Sequence, residues 1–201
     1  MTAETAGKDR SRCPWGQANE WCIPYHDDEW GAPVHGEIRH FEFLVLEAAQ
    51  AGLSWLTILK RRDGYRKAYR SFDPARVARF TARDVERLLG DPGIIRNRLK
   101  VESSINNARC FLKVQEELGS FDDYLWKWTG GKPVVNRWTD QKQIPARTEL
   151  SDAVSKDLKA RGFSFVGSTI IYSHLQAVGV VNDHLVTCFR WEQVQGKSAP
   201  R

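Results

Sequence analysis

The sequence predicts a mostly α-helical protein with a helix-hairpin-helix element near its middle. Three observations carry that expectation. Residues 41–55, FEFLVLEAAQAGLSW, are apolar at almost every position, so a helix written there is buried all round. Residues 90–100, GDPGIIRNRLK, place a Gly-Pro-Gly turn between two helical segments. No run of usable length alternates apolar and polar residues, and the chain has no internal repeat or low-complexity tract.

Taken in order, residues 1–12 are polar and aperiodic and are expected to form a disordered tail, as are residues 193–201, which leaves one folded domain over 13–192. Residues 12–33, RCPWGQANEWCIPYHDDEWGAP, are dense in Trp, Pro, Gly and Asp and lack any helical or strand period, so they read as an ordered aromatic loop. Loops of that length are usually functional or held by a staple. Gly52 ends the buried helix, and Ser54 caps a second one over residues 54–72 with Trp55, Ile58 and Leu59 inward and a basic outer face. Asp73-Pro74 starts a short helix, and Thr81 with Asp84 forms a capping box for the next. A long amphipathic helix follows from about Asn97 to Leu118. The backbone N–H groups at its start suit a phosphate, with Gly93, Arg96, Arg98 and Lys100 tracking the anion; a plain turn with a solvated basic face is the alternative. Further helices are expected over 121–128, 151–162 and 168–179, separated by the irregular stretch 130–147.

Two sets of residues carry chemistry. Glu47 stands in the middle of the apolar helix, where a carboxylate loses hydration worth several kcal/mol unless something donates to it or carries positive charge. It is either a functional acid or a structural one paired with an arginine. The second set links the chain ends. Asn182 and Asp183 are N-cap types ahead of a short helix, so His184 and Cys188, spaced i and i+4, share one face. With Cys13 and His26 they make two thiolates and two imidazoles, a closed tetrahedral set for structural Zn2+. The spacing leaves open that each is an unpaired buried residue. Cys22 and Cys110 read as core thiols.

Composition bounds the rest. Thirty Lys and Arg against 25 acids give a net charge of +5 and a pI near 9.1, a mild preference for a polyanionic partner. Eight Trp exceed ordinary core needs and offer stacking surfaces. No stretch reaches the ~20 apolar residues of a membrane span and no hydrophobic signal segment opens the chain, so a cytoplasmic, nucleoid-associated monomer without membrane contact is expected.

The stretches YHDDEWG (25–31), FEFLVLEAAQAGLSWLTILKRR (41–62), FDPARVA (72–78), GIIRNRLKVESSINNAR (93–109) and LSDAVSKDLKARGFSFVGSTIIYSHLQAVGVVNDH (150–184), with Cys188, resemble the 3-methyladenine DNA glycosylase I (Tag) family. The resemblance covers nearly the whole chain from Cys13 to about Arg190. It implies a helix-hairpin-helix DNA glycosylase fold, a substrate of double-stranded DNA carrying an alkylated adenine, and hydrolysis of the N-glycosidic bond of a flipped 3-methyladenine to leave an abasic site. It also implies a structural zinc clamp on Cys13, His26, His184 and Cys188. The base-pocket acid falls on Glu47, which serves recognition and catalysis, and the pocket aromatics on Tyr25, Trp30 and Trp55. Gly52 and Leu53 fall at the pocket mouth, where Leu53 would plug the gap left by the base. Related glycosylases carry an Asp beyond the hairpin that this family lacks, and Glu102 reads as a surface acid. No lysine is placed for Schiff-base chemistry, so a monofunctional enzyme is expected. His174 departs from the pattern, either facing the pocket or satisfied in the core. A non-catalytic, zinc-stapled DNA-binding protein is the alternative. A zinc hydrolase would need an open coordination position, and four protein ligands leave none.

Overall fold

The computed structural model describes residues 10–196, so of the tails expected over 1–12 and 193–201 the parts 1–9 and 197–201 lie outside the described residues. Residues 11 and 12 are tied into the fold: the Ser11 carbonyl accepts from the Phe189 N–H, and Arg12 grips the Asp27 carboxylate. Val194, beyond the expected boundary at 192, is buried as well. The aromatic stretch is not a loop but a series of short helical turns: a 3₁₀ turn at Pro14–Gln17, helix α1 (Cys22–Pro24) and a π turn at Tyr25–Glu29. Each is too short to give a readable period. The wide π turn puts neighbouring Tyr25 and His26 both into the interior.

Helix α2 (Glu37–Gln50) is the axis of the structure, with residues 40–49 all buried. Lys100 ends it from outside, its ammonium donating to the carbonyls of Ala49 and Ala51 at 2.8 and 2.6 Å. Those carbonyls have no partner within the helix, and a cation there also complements the helix dipole. Gly52 then turns the chain at φ +78°. The reversal exposes Leu53 and returns Trp55 beneath α2 as the first residue of α3 (Trp55–Leu59), with Ser54 capping as expected. The single helix expected over 54–72 is broken. It becomes α3, then α4 (Arg62–Ala68) and a turn in which Arg70, Ser71 and Phe72 all adopt left-handed φ near +55°. That costly conformation is compensated by Phe72, which it drives fully into the core.

Asp73 and Pro74 open α5 (Pro74–Val77), and the Thr81–Asp84 capping box opens α6 (Ala82–Leu89). Residues 90–97 then turn into α7 (Arg98–Leu118), capped by Asn97. This turn is docked on α4: a Cβ at Gly64 would lie 2.2 Å from the Gly93 carbonyl oxygen, and the Ile95 N–H donates to the Tyr65 hydroxyl. Glycine at 64 is what allows that approach. After α8 (Phe121–Trp126), strands β1 (Val134–Val135) and β2 (Val181–Asn182) form one short parallel pair, which sequence reading did not anticipate because two residues cannot show alternation. Helices α9 (Glu149–Ala160) and α10 (Ser168–Ala177) complete the wall beside α2, and α11 (Arg190–Gln193) closes the described chain. No helix among the described residues is long and apolar enough to cross a membrane.

Candidate functional site

Helix α2 carries two buried glutamates with opposite surroundings. Glu42 accepts from Arg62 at 2.9 Å, Arg39 at 2.6 Å and Arg66 at 3.3 Å, so the paired structural acid that sequence reasoning weighed for Glu47 exists five residues earlier. Glu47 is 4% exposed and accepts no hydrogen bond from any described residue. Loss of hydration, with no cation to offset it, pushes its carboxyl up to about 8. Glu47 faces a cavity of about 390 Å³ walled by Trp15, Tyr25, Trp30 and Trp55, with Gln50, Ile144 and Gln176 on its rim. Trp15 meets Trp30 edge-on at 4.9 Å between ring centroids, and Tyr25 lies 5.3 Å from Trp55. Burial, then the neighbouring Glu47, holds the Tyr25 hydroxyl well above its usual range, so it stays a neutral donor. The three expected aromatics are therefore brought together with the acid.

The four candidate ligands also converge. Cys13, His26, His184 and Cys188 are all buried, with ligand atoms within 4.8 Å of one another. Cys188 Sγ lies 3.5 Å from His26 Nε2 and 3.6 Å from His184 Nδ1, and Cys13 Sγ lies 3.7 Å from His184 Nδ1. A tetrahedral zinc with two sulfur and two nitrogen ligands sets such neighbours roughly 3.4–3.8 Å apart. The second nitrogen of each imidazole is already held. His26 Nδ1–H donates to Asp27 at 2.8 Å, and Asp27 is gripped by Arg12; His184 Nε2–H donates to the Trp30 carbonyl at 2.9 Å. Those contacts fix both tautomers so that the bare nitrogens face the sulfurs, as ligating histidines require. The Cys188 thiol is held far below its usual range by the Cys13 thiol first and by the two histidines, while Cys13, as the donor of that pair, is pushed up. One expectation is corrected here. Residues 183–189 are turn rather than helix, and Asp183 is no N-cap: its carboxylate accepts from Asn136, Trp138, Tyr172 and Gln176. The ligand pair is set by that turn, not by an i,i+4 helix face.

On the surface below the cavity, the residues expected to track phosphate divide. Arg96 is exposed and makes no ion pair among the described residues. Arg98 is bonded to Glu86 at 2.7 Å and approaches Glu102 at 3.5 Å, which is the surface acid expected. Lys100 is engaged with the end of α2, so its ammonium does not point to solvent as a tracking residue would. Gly93 lies in the turn against Gly64. Leu53 is 38% exposed, which removes the ordinary-core reading, and Gln50 holds its carbonyl at 2.7 Å. His174 is 1% exposed and absent from the cavity wall; it packs beside His40, and neither of its ring nitrogens has a partner. Neither expectation for it holds, and burial lowers it to about 3, so it stays neutral. Cys22 and Cys110 are buried as expected.

Sequence reasoning missed Trp15, Gln50, Gln141, Ile144, Ser173 and Gln176 as cavity residues. Trp15 was recoverable, two places after a candidate ligand in the aromatic stretch; Ile144 arrives from an irregular segment with no local signal. Comparison with known proteins identifies the family. The family profile described as methyladenine glycosylase matches residues 15–191. The chain is 48% identical over 177 residues to DNA-3-methyladenine glycosylase 1 of Escherichia coli (strain K12), covering 88% of this chain and 95% of that protein. It is 43% identical over 178 residues to the DNA-3-methyladenine glycosylase of Haemophilus influenzae, covering 89% and 96%. A solved structure of a 3-methyladenine DNA glycosylase I variant in complex with 3-methyladenine superposes with a TM-score of 0.87 at 35% identity, covering 92% of this chain and 98% of that one. The chain belongs to the methyladenine glycosylase family.

Proposed function

We propose that this protein is a DNA repair glycosylase that excises 3-methyladenine from double-stranded DNA and leaves an abasic site. The observation that carries the reading is Glu47, an unpaired carboxyl at the base of an aromatic cavity. No described residue offsets its charge, so the ligand must. A 3-methyladenine in DNA is cationic; it attracts indole and phenol faces by stacking and cation–π interaction, worth ~1 kcal/mol or more each once desolvated. Its exocyclic amine donates to Glu47, while neutral adenine brings no charge to offset the carboxylate. A solved relative at 35% identity holds 3-methyladenine, which supports the same ligand here.

The chemistry follows from the substrate. Methylation has already placed positive charge on the ring, so the bond between C1′ and the base nitrogen breaks with its electron pair returning to the base, which leaves neutral. Water then supplies the hydroxyl on C1′ and releases a proton. Glu47, ionised by the approaching cation, holds the base and stabilises the positive charge that develops on the sugar. No lysine among the described residues lines the cavity, and the reading is a monofunctional hydrolase.

DNA enters through the surface formed by α6, the 90–97 turn and α7, read as a helix-hairpin-helix. There the N-terminal N–H groups of α7 and Arg96 hold phosphate without reading sequence. Leu53, exposed on a hinge whose Gly52 has nothing within 4 Å of an added Cβ, fills the space the flipped base vacates. Cys13, His26, His184 and Cys188 would hold a zinc that supplies cross-linking of the two chain ends and no chemistry, since all four positions are protein atoms. The test is release of methylated bases from alkylated duplex, with and without chelator. The reading expects release of 3-methyladenine in both; binding of duplex without release would favour the non-catalytic alternative.

A further inference from the structure

Asp183 is fully buried and accepts four hydrogen bonds, from Asn136 Nδ2 and Trp138 Nε1 on one oxygen and from Tyr172 and Gln176 Nε2 on the other. Both oxygens act only as acceptors, because every partner presents a donor and the indole N–H can do nothing else. The consequence for Gln176 is directional. A side-chain amide has one donor end and one acceptor end, and Asp183 claims the donor end at 2.7 Å. The Gln176 backbone carbonyl is also taken, by the N–H groups of Gly31 and Gly179. Besides the second Nε2–H, the remaining polar group of this partly exposed cavity residue is the amide oxygen, which accepts no bond from any described residue.

We infer that Gln176 is a specificity-determining residue of the cavity, and that Asp183 is the positioning residue that stops its amide from turning over, so that the carbonyl oxygen keeps one place against the base. The inference rests on the glycosylase reading and adds to it which methylated bases are accepted. Adenine carries an amine, a donor, at the ring position where guanine carries an oxygen, an acceptor. A fixed carbonyl rewards the first with a hydrogen bond and opposes the second with an unpaired oxygen, so the same atom attracts one base and repels the other. Glu47 alone cannot do this reliably: its charge attracts every cationic methylated base, the methylguanines included. A free glutamine would also fail, since its amide would turn over to suit either base.

The experiment uses duplex DNA methylated at random, from which 3-methyladenine, 3-methylguanine and 7-methylguanine are separated after release, with the ratio of adenine to guanine products as the readout. Gln176→Leu should lower release of 3-methyladenine about tenfold and leave the guanine bases unchanged or faster, so the ratio falls about tenfold. Asp183→Asn keeps the size of the side chain but replaces one acceptor oxygen by a donor. Trp138 and Asn136 require the remaining oxygen, so Gln176 must turn and present N–H to the cavity. The ratio should then fall further than in Gln176→Leu, and the double variant Asp183→Asn/Gln176→Leu should return to the Gln176→Leu ratio. A structural role alone would lower all bases in proportion, lower the melting temperature and leave the ratio at the wild-type value; that result, in either folded variant, overturns the inference. Should Asp183→Asn not fold, Gln176→Leu and Gln176→Met decide it on the same ratio. Wild-type protein that releases no 3-methyladenine would instead refute the glycosylase reading.

Discussion

Replacing Glu47 by Gln separates recognition from folding and has a sign that the structure dictates. The folded protein holds the Glu47 proton to about pH 8, against 4.5 for an unperturbed glutamate. Because the native state binds that proton more tightly than the unfolded state does, the wild-type protein has its full stability below pH 4.5 and loses it progressively as pH rises to about 8. The interval corresponds to at most about 5 kcal/mol, since one pKa unit is ~1.4 kcal/mol; water entering the cavity reduces it. Glutamine is neutral at every pH and suffers no such loss. Glu47→Gln should therefore match wild type near pH 4.5 and exceed it by several kcal/mol at pH 8.5, roughly 2–4 °C in melting temperature for each kcal/mol. Urea unfolding of both proteins at the two pH values measures this. On the same sample, undamaged duplex should bind normally while excision of 3-methyladenine falls about tenfold to a hundredfold, the value of one charge-assisted hydrogen bond at ~1.5–3 kcal/mol. Wild-type kcat/KM should also rise with pH toward about 8 as Glu47 ionises, and the variant should lack that rise. A variant less stable than wild type at pH 8.5 would mean that Glu47 balances a cation after all, and a stable variant with wild-type excision would remove it from recognition.

Other perturbations address the remaining elements. Cys188→Ala should bind less than one zinc per chain and melt roughly 10 °C lower or more, because metal affinity is folding free energy in such sites; unchanged melting and metal content would exclude this cysteine as a ligand. Arg96→Ala should reduce the slope of log affinity against log salt by about one unit for an abasic duplex, as one phosphate contact does. Lys100→Ala should leave that slope nearly unchanged and instead cost roughly 1–3 kcal/mol of stability, since its ammonium satisfies the Ala49 and Ala51 carbonyls; a slope reduced by a full unit would return it to the DNA interface. Leu53→Ala should slow excision from a fully paired duplex about tenfold but less so when the lesion lies opposite a mismatch, where less unpairing is needed, and equal losses on both would exclude a wedge.

What could be read from the sequence was local. Ser54, Asp73 with Pro74, and Thr81 with Asp84 cap the helices they were expected to cap, because each cap depends on residues within three positions of it. Glu47 was conspicuous because a charge in a continuous apolar run is a local contradiction. Its lack of a partner was not legible, and neither was the fate of Glu42, whose arginines come from the same helix and from α4. The break at Arg70–Phe72 has no glycine to announce it; burial of Phe72 forces the left-handed turn against local preference. Lys100 reads as one more cation in a basic run, and only the end of α2, some fifty residues earlier, reveals what it holds. The turn at 183–189 looked like a capped helix because Asn and Asp serve equally well as caps and as buried acceptors.

The cysteine–histidine cluster and the aromatic cavity share their supports, and this decides how a variant of the cluster should be interpreted. Trp15 stands two residues after Cys13, and Tyr25 immediately precedes His26. Trp30 accepts from His184 through its carbonyl, and Asp183, which orients Gln176, is the residue before that same histidine. Three aromatic walls and one polar cavity residue therefore hang from Cys13, His26 and His184, and Cys188 completes that cluster. Displacements of about 1 Å in such walls cost on the order of a hundredfold in rate, even when no reacting atom is touched. A Cys188→Ala protein that remains folded should thus lose excision in part, through poorer placement of the base, while Arg96 and the start of α7, which touch none of the ligands, still bind duplex normally. Chemistry supplied by a metal would predict another pattern, with tight binding of the lesion and no release. Comparing lesion affinity with the rate of release in that variant separates a cross-link that shapes the cavity from a metal that acts on the bond.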